Sequence, residues 1–239
     1  MKWTKMITVV IPSRNAQDTL PTTLQSVKVA AEGLKVEILV IEDVEGLGPS
    51  WARNRGLERA SGEVIFFVDA DDTVKPDFFR RPLSVLERTG ADMCFFSYSN
   101  GPKLEEGVVE GNDAVRKRFL PAFFGYSNDD VRRWNSGGRL AQKKEPGQVW
   151  RCAYRKAFLD KANIRFDEAM TFYEDAAFLS FAVAFADRVA VIPDELYEYT
   201  PTPAGNLSSG SGSSRHWEYK FHALNSRKRL DALTGGEVW

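Results

Sequence analysis

The stretch Val64–Asp72 reads VIFFVDADD, five apolar residues followed by three aspartates in four positions. A short run of β-branched and aromatic residues predicts a fully buried strand. The aspartates stand where this strand ends, and their mutual repulsion has to be offset, most often by a divalent cation. A plainer alternative is that they only cap the helix that follows near Pro76. The stretch predicts a buried strand with a ligand site at its carboxyl end.

Apolar runs and amphipathic stretches alternate on both sides of this strand. The predicted strands are Met6–Ile11, Val36–Ile41, Val64–Val68 and Asp92–Ser97, the first three of them buried. The predicted helices run from Asp18, as its N-cap, to about Glu32, from Trp51 to Ala60 and from Pro76 to Arg88. Such alternation predicts an α/β fold with a mostly parallel central sheet flanked by helices, which binds ligands outside the carboxyl ends of its strands.

The character of the chain changes after about residue 112. Residues 113–165 carry 13 Lys and Arg against 5 Asp and Glu, a local charge of +8. The polar, glycine-rich stretch Gly125–Gly147 is predicted to be a long loop, which either lines a site or is a solvated insertion. Two more helices are predicted, over about 155–163 and 172–186.

Composition excludes several classes of protein. The 239 residues are 43% hydrophobic and 27% charged with a formal net charge of -1, which is typical of a folded globular chain and not of a disordered one. No run approaches the roughly 18 apolar residues that a membrane span needs, and the sequence opens without a signal-peptide core, so we expect a cytoplasmic protein. The two cysteines, Cys94 and Cys152, indicate free thiols.

The aspartates fit more than one enzyme class. Asp69-Ala70-Asp71-Asp72-Thr73 matches the Asp-x-Asp-x-Thr of haloacid-dehalogenase-like phosphatases, but that family carries the motif on its first strand, and here it follows the third. A metal-dependent phosphatase or nucleotidyltransferase that uses Asp69 and Asp71 remains the alternative enzyme. A non-catalytic module that binds a sugar nucleotide or a glycan is the alternative outside enzymes.

Several further segments agree in order with one family. They are Ile11–Asn15 (IPSRN), Val40–Asp43 (VIED), Gly48–Leu57 (GPSWARNRGL), Asp69–Asp72 (DADD), Val149–Trp150 (VW), Ile164–Glu168 (IRFDE) and Tyr173–Asp175 (YED). Through them the chain resembles family 2 glycosyltransferases of the GT-A fold. It departs from the family after the second strand, where Val44–Leu47 replaces the usual Asp-Gly-Ser and the helix and strand that follow it.

The resemblance implies a site for a nucleotide-diphosphate sugar donor. It places Asp71, with Asp69, on a Mg²⁺ or Mn²⁺ ion that bridges the two phosphates, and Asp69 also against the ribose or the sugar. A bound cation stabilises the leaving diphosphate without any proton transfer. The other implied donor-site residues are Pro12 and Asn15 under the nucleotide, Asp43 on the base, Arg53 and Asn54 on the helix that faces the donor, and Ala70 within the aspartate motif.

The same resemblance makes Asp175 the general base of an inverting transfer, with Glu174 in support. An inverting transfer needs a carboxylate that takes the proton from the attacking hydroxyl. Both residues fall in the first turn of a predicted helix, where the helix dipole favours negative charge; serving only that helix start is the alternative. Residues 1–112 are then the half that binds the nucleotide sugar, and residues 113–239 the half that binds the acceptor.

The implied acceptor is a glycan or a lipid-linked sugar, as in polysaccharide or cell-surface glycoconjugate synthesis. Trp150 is a candidate to stack on that sugar, unless it belongs to the core. The positive middle segment carries no recognisable nucleic-acid module, so no nucleic-acid partner is expected. A basic amphipathic segment begins at Arg215 and either contacts the inner face of a membrane peripherally or packs on the core. His216 beside it is either a metal ligand or an ordinary surface residue.

Overall fold

A computed structural model describes residues 3–124, 147–170 and 173–200, together with Lys228 and Ala232. The strands are β1 (Met6–Ser13), β2 (Lys35–Glu42), β3 (Val64–Phe67), β4 (Thr73–Val74), β5 (Met93–Tyr98), β6 (Gly107–Glu110), β7 (Cys152–Arg155) and β8 (Arg188–Glu198). The helices are α1 (Leu20–Ala30), α2 (Pro49–Arg59), α3 (Arg80–Thr89), α4 (Asn112–Phe124), α5 (Lys156–Lys161) and α6 (Glu174–Phe185), with a 3₁₀ turn over Val149–Arg151.

The strands form one mixed sheet in the order β2-β1-β3-β7-β5-β8-β4, and β6 pairs with β8 as well. Strands β1, β2 and β3 are parallel neighbours, as are β5 and β8, whereas β7 runs antiparallel between β3 and β5. The predicted α/β fold, with a mostly parallel central sheet flanked by helices, is confirmed. Because β7 and β8 share this sheet with β1 to β3, residues before and after 112 build one core; the functional division at that point stays a prediction.

Two local predictions were wrong. Strand β2 is not buried throughout: among the described strands it lies at the sheet edge and pairs only with β1, and it fully buries only Ile41. Its apolar run reflects one covered face. Helix α1 begins at Leu20 with Thr19 as the N-cap residue, so Asp18 does not cap it. The turn before it is closed by the backbone N–H groups of Thr19 and Leu20, which both donate to the carbonyl of Ala16.

The close packing of α2 on the sheet matters for the site. A Cβ atom on Gly56 would lie 2.2 Å from Cγ1 of Val10, so only glycine lets α2 approach β1 this closely. The centre of the core is aromatic: Phe67 meets Tyr154, Phe166 and Phe178 edge to face at centroid distances of 5.5–5.9 Å. This packing joins β3 to the segment before α6.

Several predictions fall outside the described residues. They concern the loop Gly125–Gly147 up to its last residue, the basic segment from Arg215, and His216. In the ranges that the structure describes, no helix is long and apolar enough to cross a bilayer.

Candidate active site

Arg53 is the centre of the candidate site. Its Nη1 donates to Asp175 Oδ1 (2.7 Å) and to Glu174 Oε1 (3.2 Å), and its Nη2 donates to Asp69 Oδ1 (3.0 Å). The guanidinium is 5% exposed and lies 5.4 Å from the ring centroid of Phe166. The predicted base and the first aspartate of the motif, far apart in sequence, therefore share one buried cation. Among the residues that the structure describes, one positive charge faces three carboxylates, which leaves an excess of negative charge there.

Asp175 and Glu174 occupy the first turn of α6, as predicted. The second carboxylate oxygen of Asp175 accepts the backbone N–H of Val149 at 3.3 Å. Burial raises the pKa of Asp175; Arg53 counters this effect, while the charges of Glu174 and Asp69 add to it. The residue before the helix, Tyr173, has a φ of 59° and is 45% exposed. A carboxylate with a raised pKa is a stronger proton acceptor than an ordinary aspartate.

The segment Val68–Asp72, which we call the aspartate loop, is held by neighbouring elements. The N–H of Val68 donates to the carbonyl of Val10 on β1. On the α1 side, Thr23 Oγ1 donates to the carbonyl of Ala70 at 3.0 Å. Ala70 is itself buried, and Asp71 is half-buried. These contacts fix the backbone that leads into Asp71 without using the carboxylates of the loop.

The end of β8 holds the same loop from the other side. The hydroxyl of Tyr197 accepts the backbone N–H of Asp69 (3.0 Å) and donates to Asp72 Oδ2 (2.7 Å), while Thr200 N donates to Asp72 Oδ1 (2.7 Å). Burial and the charge of Asp69 raise the pKa of Asp72 to about 7, although the Thr200 and Tyr197 hydrogen bonds oppose the shift. Sequence reasoning assigned no role to Tyr197, because a contact between residues so far apart leaves no local signal.

Asn54 serves the segment that follows α5. Its Nδ2 donates to the carbonyl of Phe166 (3.0 Å) and to Glu168 Oε1 (2.8 Å), and its Oδ1 accepts the N–H of Phe166 (2.9 Å). The amide thus replaces a strand partner for Phe166, the ring that Arg53 faces. Asn54 is 6% exposed, and every polar atom of its side chain is used within the chain. A donor contact for Asn54 stays a prediction.

Asp43 closes the short loop between β2 and α2. Its two carboxylate oxygens accept the N–H groups of Leu47 and Gly48, both at 2.8 Å, and the side chain is buried. Gly46 and Gly48 have φ values of 76° and 100°, which let the loop turn this tightly. Hydrogen bonds from the loop lower the pKa of Asp43 although its desolvation opposes them. The structure shows the carboxylate occupied by this loop, and its contact with a base stays a prediction.

The other predicted residues lie either at the end of a strand or within the core. Pro12 lies at the carboxyl end of β1 and is half-buried, while Asn15, two residues beyond the strand, is exposed with a φ of 54°. Trp150 is 2% exposed and its ring stacks on Tyr197 at 4.0 Å, so it belongs to the core and presents no face to a sugar. Its neighbour Val149, which donates its backbone N–H to Asp175, was quoted in a motif but given no role of its own.

The donor set fits a divalent cation that takes most of its ligands from a substrate. In the part of the chain that the structure describes, no group of three or more His, Cys, Asp or Glu side chains has the geometry of a metal site. Mg²⁺ commonly binds one or two carboxylates and completes its coordination with phosphate oxygens and water. Asp71 and Asp69 are the residues that could supply such a pair, and the negative charge of the described carboxylates around Arg53 is compatible with a cation nearby.

Comparisons with known proteins agree with this architecture. Residues 44–161 match the model of the Glycosyl transferase family 2. The succinoglycan biosynthesis protein ExoO of Rhizobium meliloti is 28% identical over 220 residues, covering 81% of this chain and 60% of that protein. The uncharacterized glycosyltransferase EpsJ of Bacillus subtilis is 30% identical over 170 residues, covering 70% of this chain and 45% of that protein. The chain thus spans about half of each of these relatives.

A solved structure shares the fold. The crystal structure of Staphylococcus aureus TarS 1-349 in complex with UDP-GlcNAc superposes with a TM-score of 0.63 at 18% identity, covering 93% of this chain and 66% of that one. The superposition extends the likeness beyond the residues that the family model matches. The ordered motifs, the family match over residues 44–161 and the shared fold agree, and together they support a family 2 glycosyltransferase of the GT-A fold.

Proposed function

We propose that this chain carries the catalytic site of an inverting glycosyltransferase, which moves a sugar from a nucleotide-diphosphate sugar to an acceptor hydroxyl. The observation that carries the proposal is the convergence on Arg53 of Asp69, from the aspartate loop, with Glu174 and Asp175 from α6. Transfer needs the donor diphosphate and the base on either side of one reacting carbon. The buried guanidinium of Arg53 holds the donor-side carboxylate and the proposed base close together in one site.

On the donor side, Asp71 and Asp69 would hold Mg²⁺ or Mn²⁺. When bound, the ion would supply positive charge that stabilises the nucleoside diphosphate as it leaves. Pro12, Asn15 and the backbone of the Asp43 loop are the remaining donor residues in this proposal. The carboxyl ends of β1, β2 and β3 bring these segments to one edge of the sheet, where open α/β sheets bind ligands.

On the acceptor side, Asp175 takes the proton from the attacking hydroxyl. Its carboxylate is anchored by Arg53 and by the N–H of Val149, and its raised pKa suits proton transfer near neutral pH. Glu174 shares Arg53 and supports this orientation. The acceptor in this proposal is a glycan or a lipid-linked sugar, in keeping with relatives such as the succinoglycan biosynthesis protein. Peripheral contact with a membrane through the basic segment from Arg215 stays a prediction.

Thermal unfolding with nucleoside diphosphates tests the donor site. The panel is UDP, GDP, ADP and TDP, each with and without Mn²⁺, with UDP first because the similar TarS structure holds UDP-GlcNAc. A ligand at 100 times its dissociation constant adds about 2.7 kcal/mol, which raises the midpoint of a chain of this size by roughly 5–10 °C. We expect one nucleotide to give a Mn²⁺-dependent shift that Asp71→Ala removes. No shift with any nucleotide would contradict a donor site.

Product analysis then separates the alternatives. A glycosyltransferase releases nucleoside diphosphate from a sugar nucleotide when an acceptor is added, whereas a phosphatase that uses Asp69 and Asp71 releases orthophosphate. A binding module shows the nucleotide-dependent shift with no release of either product.

A further inference from the structure

We propose that Tyr197 is a positioning residue for the donor site: its hydroxyl, together with Asp72, fixes the aspartate loop in the shape that binds a metal-bridged diphosphate. This inference rests on the proposed function, since it concerns how the same donor site is built. Neither Tyr197 nor Asp72 is proposed to touch the donor. They act through the backbone that carries Asp69 and Asp71.

The first argument is how the hydroxyl is used. Tyr197 is fully buried, and its oxygen both accepts the N–H of Asp69 and donates to the carboxylate of Asp72. One hydroxyl thereby joins the first and last aspartates of the loop. The Thr200 N–H takes the other oxygen of Asp72, so this carboxylate is committed to the end of β8. Both carboxylate oxygens of Asp72 therefore stabilise the shape of the loop.

The second argument is what the ring alone already provides. The Tyr197 ring stacks on Trp150 at 4.0 Å with an interplanar angle of 8°, and its centroid lies 6.1 Å from that of Phe78. A phenylalanine satisfies all of this packing. The buried hydroxyl adds nothing to the aromatic contacts, and a buried polar group is costly unless it is hydrogen-bonded. Both of its hydrogen bonds go to the aspartate loop.

The third argument is the position of this contact among the anchors of the loop. Val10 fixes Val68 before the aspartates, and Thr23 fixes the carbonyl of Ala70. Within the described residues, the backbone N–H of Asp69 has Tyr197 as its partner. Loss of the hydroxyl therefore removes one hydrogen bond at each end of the four-residue turn that presents Asp71, while β1 and α1 still hold Val68 and Ala70.

The test is Tyr197→Phe, with Tyr154→Phe as the matched control. Both tyrosines are fully buried, but the Tyr154 hydroxyl donates to the carbonyl of Val149, on the side of the base. The measurement is the affinity for the nucleoside diphosphate that binds best in a panel of UDP, GDP, ADP and TDP with Mn²⁺, by titration calorimetry without acceptor. We expect about a tenfold loss of affinity in Tyr197→Phe, the size of one lost hydrogen bond, and less than a twofold change in Tyr154→Phe.

A second variant guards against a general folding defect. Asp72→Asn keeps the size of the side chain but cannot accept from both Tyr197 and Thr200 in the same way, so it should weaken Mn²⁺-nucleotide binding in the same direction. Circular dichroism of all three variants checks that the fold is intact. Equal weakening in Tyr154→Phe, or unchanged affinity in both Tyr197→Phe and Asp72→Asn, overturns the positioning role while the donor site stands. If the unsubstituted chain binds no nucleoside diphosphate, the proposed function fails and this role fails with it.

Discussion

Two arginine–carboxylate groups of this chain differ in balance and in exposure. Arg53 is 5% exposed and faces three carboxylates, whereas Arg81 is 38% exposed and forms a one-to-one, two-bond pair with Asp194. The Arg81 pair joins α3 to β8 and needs nothing further. The Arg53 cluster carries surplus negative charge in a place where charge is costly. The Arg81 pair therefore serves the fold, whereas the negative charge around Arg53 suits a site that binds a cation or transfers a proton.

The largest effect is expected from Asp175→Asn, which tests whether the Arg53 cluster has a function that the Arg81 pair lacks. Loss of a general base typically lowers the rate by about 10²–10⁴-fold, and we expect the transfer rate to fall by that amount. Mn²⁺-nucleotide binding should persist, because the aspartate loop is untouched. The rate of transfer is measured as the release of nucleoside diphosphate after the acceptor is added. Full activity in this variant would remove Asp175 from the mechanism.

The same variant carries a stability readout. The pKa of Asp175 is higher in the folded chain than in the unfolded one, so ionising it at neutral pH costs folding free energy. Asp175→Asn removes that cost, and its midpoint of thermal unfolding at pH 7 should be equal to or above that of the unsubstituted chain. As the pH falls toward the unfolded pKa, this advantage should shrink. A clear loss of stability at pH 7 would assign Asp175 to the fold.

The next largest effect is expected from Arg53→Met. Removal of Arg53 takes away the cation that pairs with these three partly buried carboxylates in the described part of the chain, and breaking a buried ion pair in this way costs about 3–5 kcal/mol. Equilibrium denaturation in urea measures the loss. Arg53→Lys should recover part of it, because an ammonium keeps the charge but cannot join the aspartate loop and α6 with one planar group.

Arg155→Met is the matched control for Arg53→Met. The Arg155 guanidinium donates to the carbonyls of Ala91 and Leu86, so its loss leaves neutral acceptors and a cost of about 1–3 kcal/mol. The double variant Arg53→Met with Asp175→Asn should be more stable than Arg53→Met alone, because one repelling charge is gone. An equal cost for Arg53→Met and Arg155→Met would mean that the carboxylates are not the reason.

The predictable part of the fold was the part with local signals. The apolar runs of β1 and β3 and the helical stretches of α2 and α6 lie close to where the sequence predicts them. Strand β7 was missed because it has only four residues between polar neighbours and is antiparallel to the strands beside it. The edge position of β2 was also missed, since order within a sheet depends on long-range pairing.

The candidate site was predictable as a set of residues more than as a set of roles. The motifs brought Arg53, Asp69, Glu174 and Asp175 into one predicted site, and in the structure the three carboxylates contact Arg53. Motif positions could not show that Asn54 spends its amide on Phe166 or that Asp43 closes its own loop. The hydrogen-bond partners of Asn54 and Asp43 depend on which buried polar groups lie nearby without another partner. Only the folded structure determines this.

The smallest effect is expected at the balanced pair, in Asp194→Asn. The two-bond contact with Arg81 lowers the pKa of Asp194, so its contribution to stability is present above the unfolded pKa of about 3.9 and is lost as the pH falls through the folded pKa. Because both groups are partly exposed, we expect a cost of about 0.2–1 kcal/mol at pH 7 that fades in acid and in high salt.

Glu63→Gln breaks the Lys5 pair, in which both side chains are about half exposed (48% and 51%), and it should cost less still. Neither variant should change the transfer rate. A loss of transfer in Asp194→Asn without loss of stability would mean that the balanced pair also serves the site, and the contrast with Arg53 would fail.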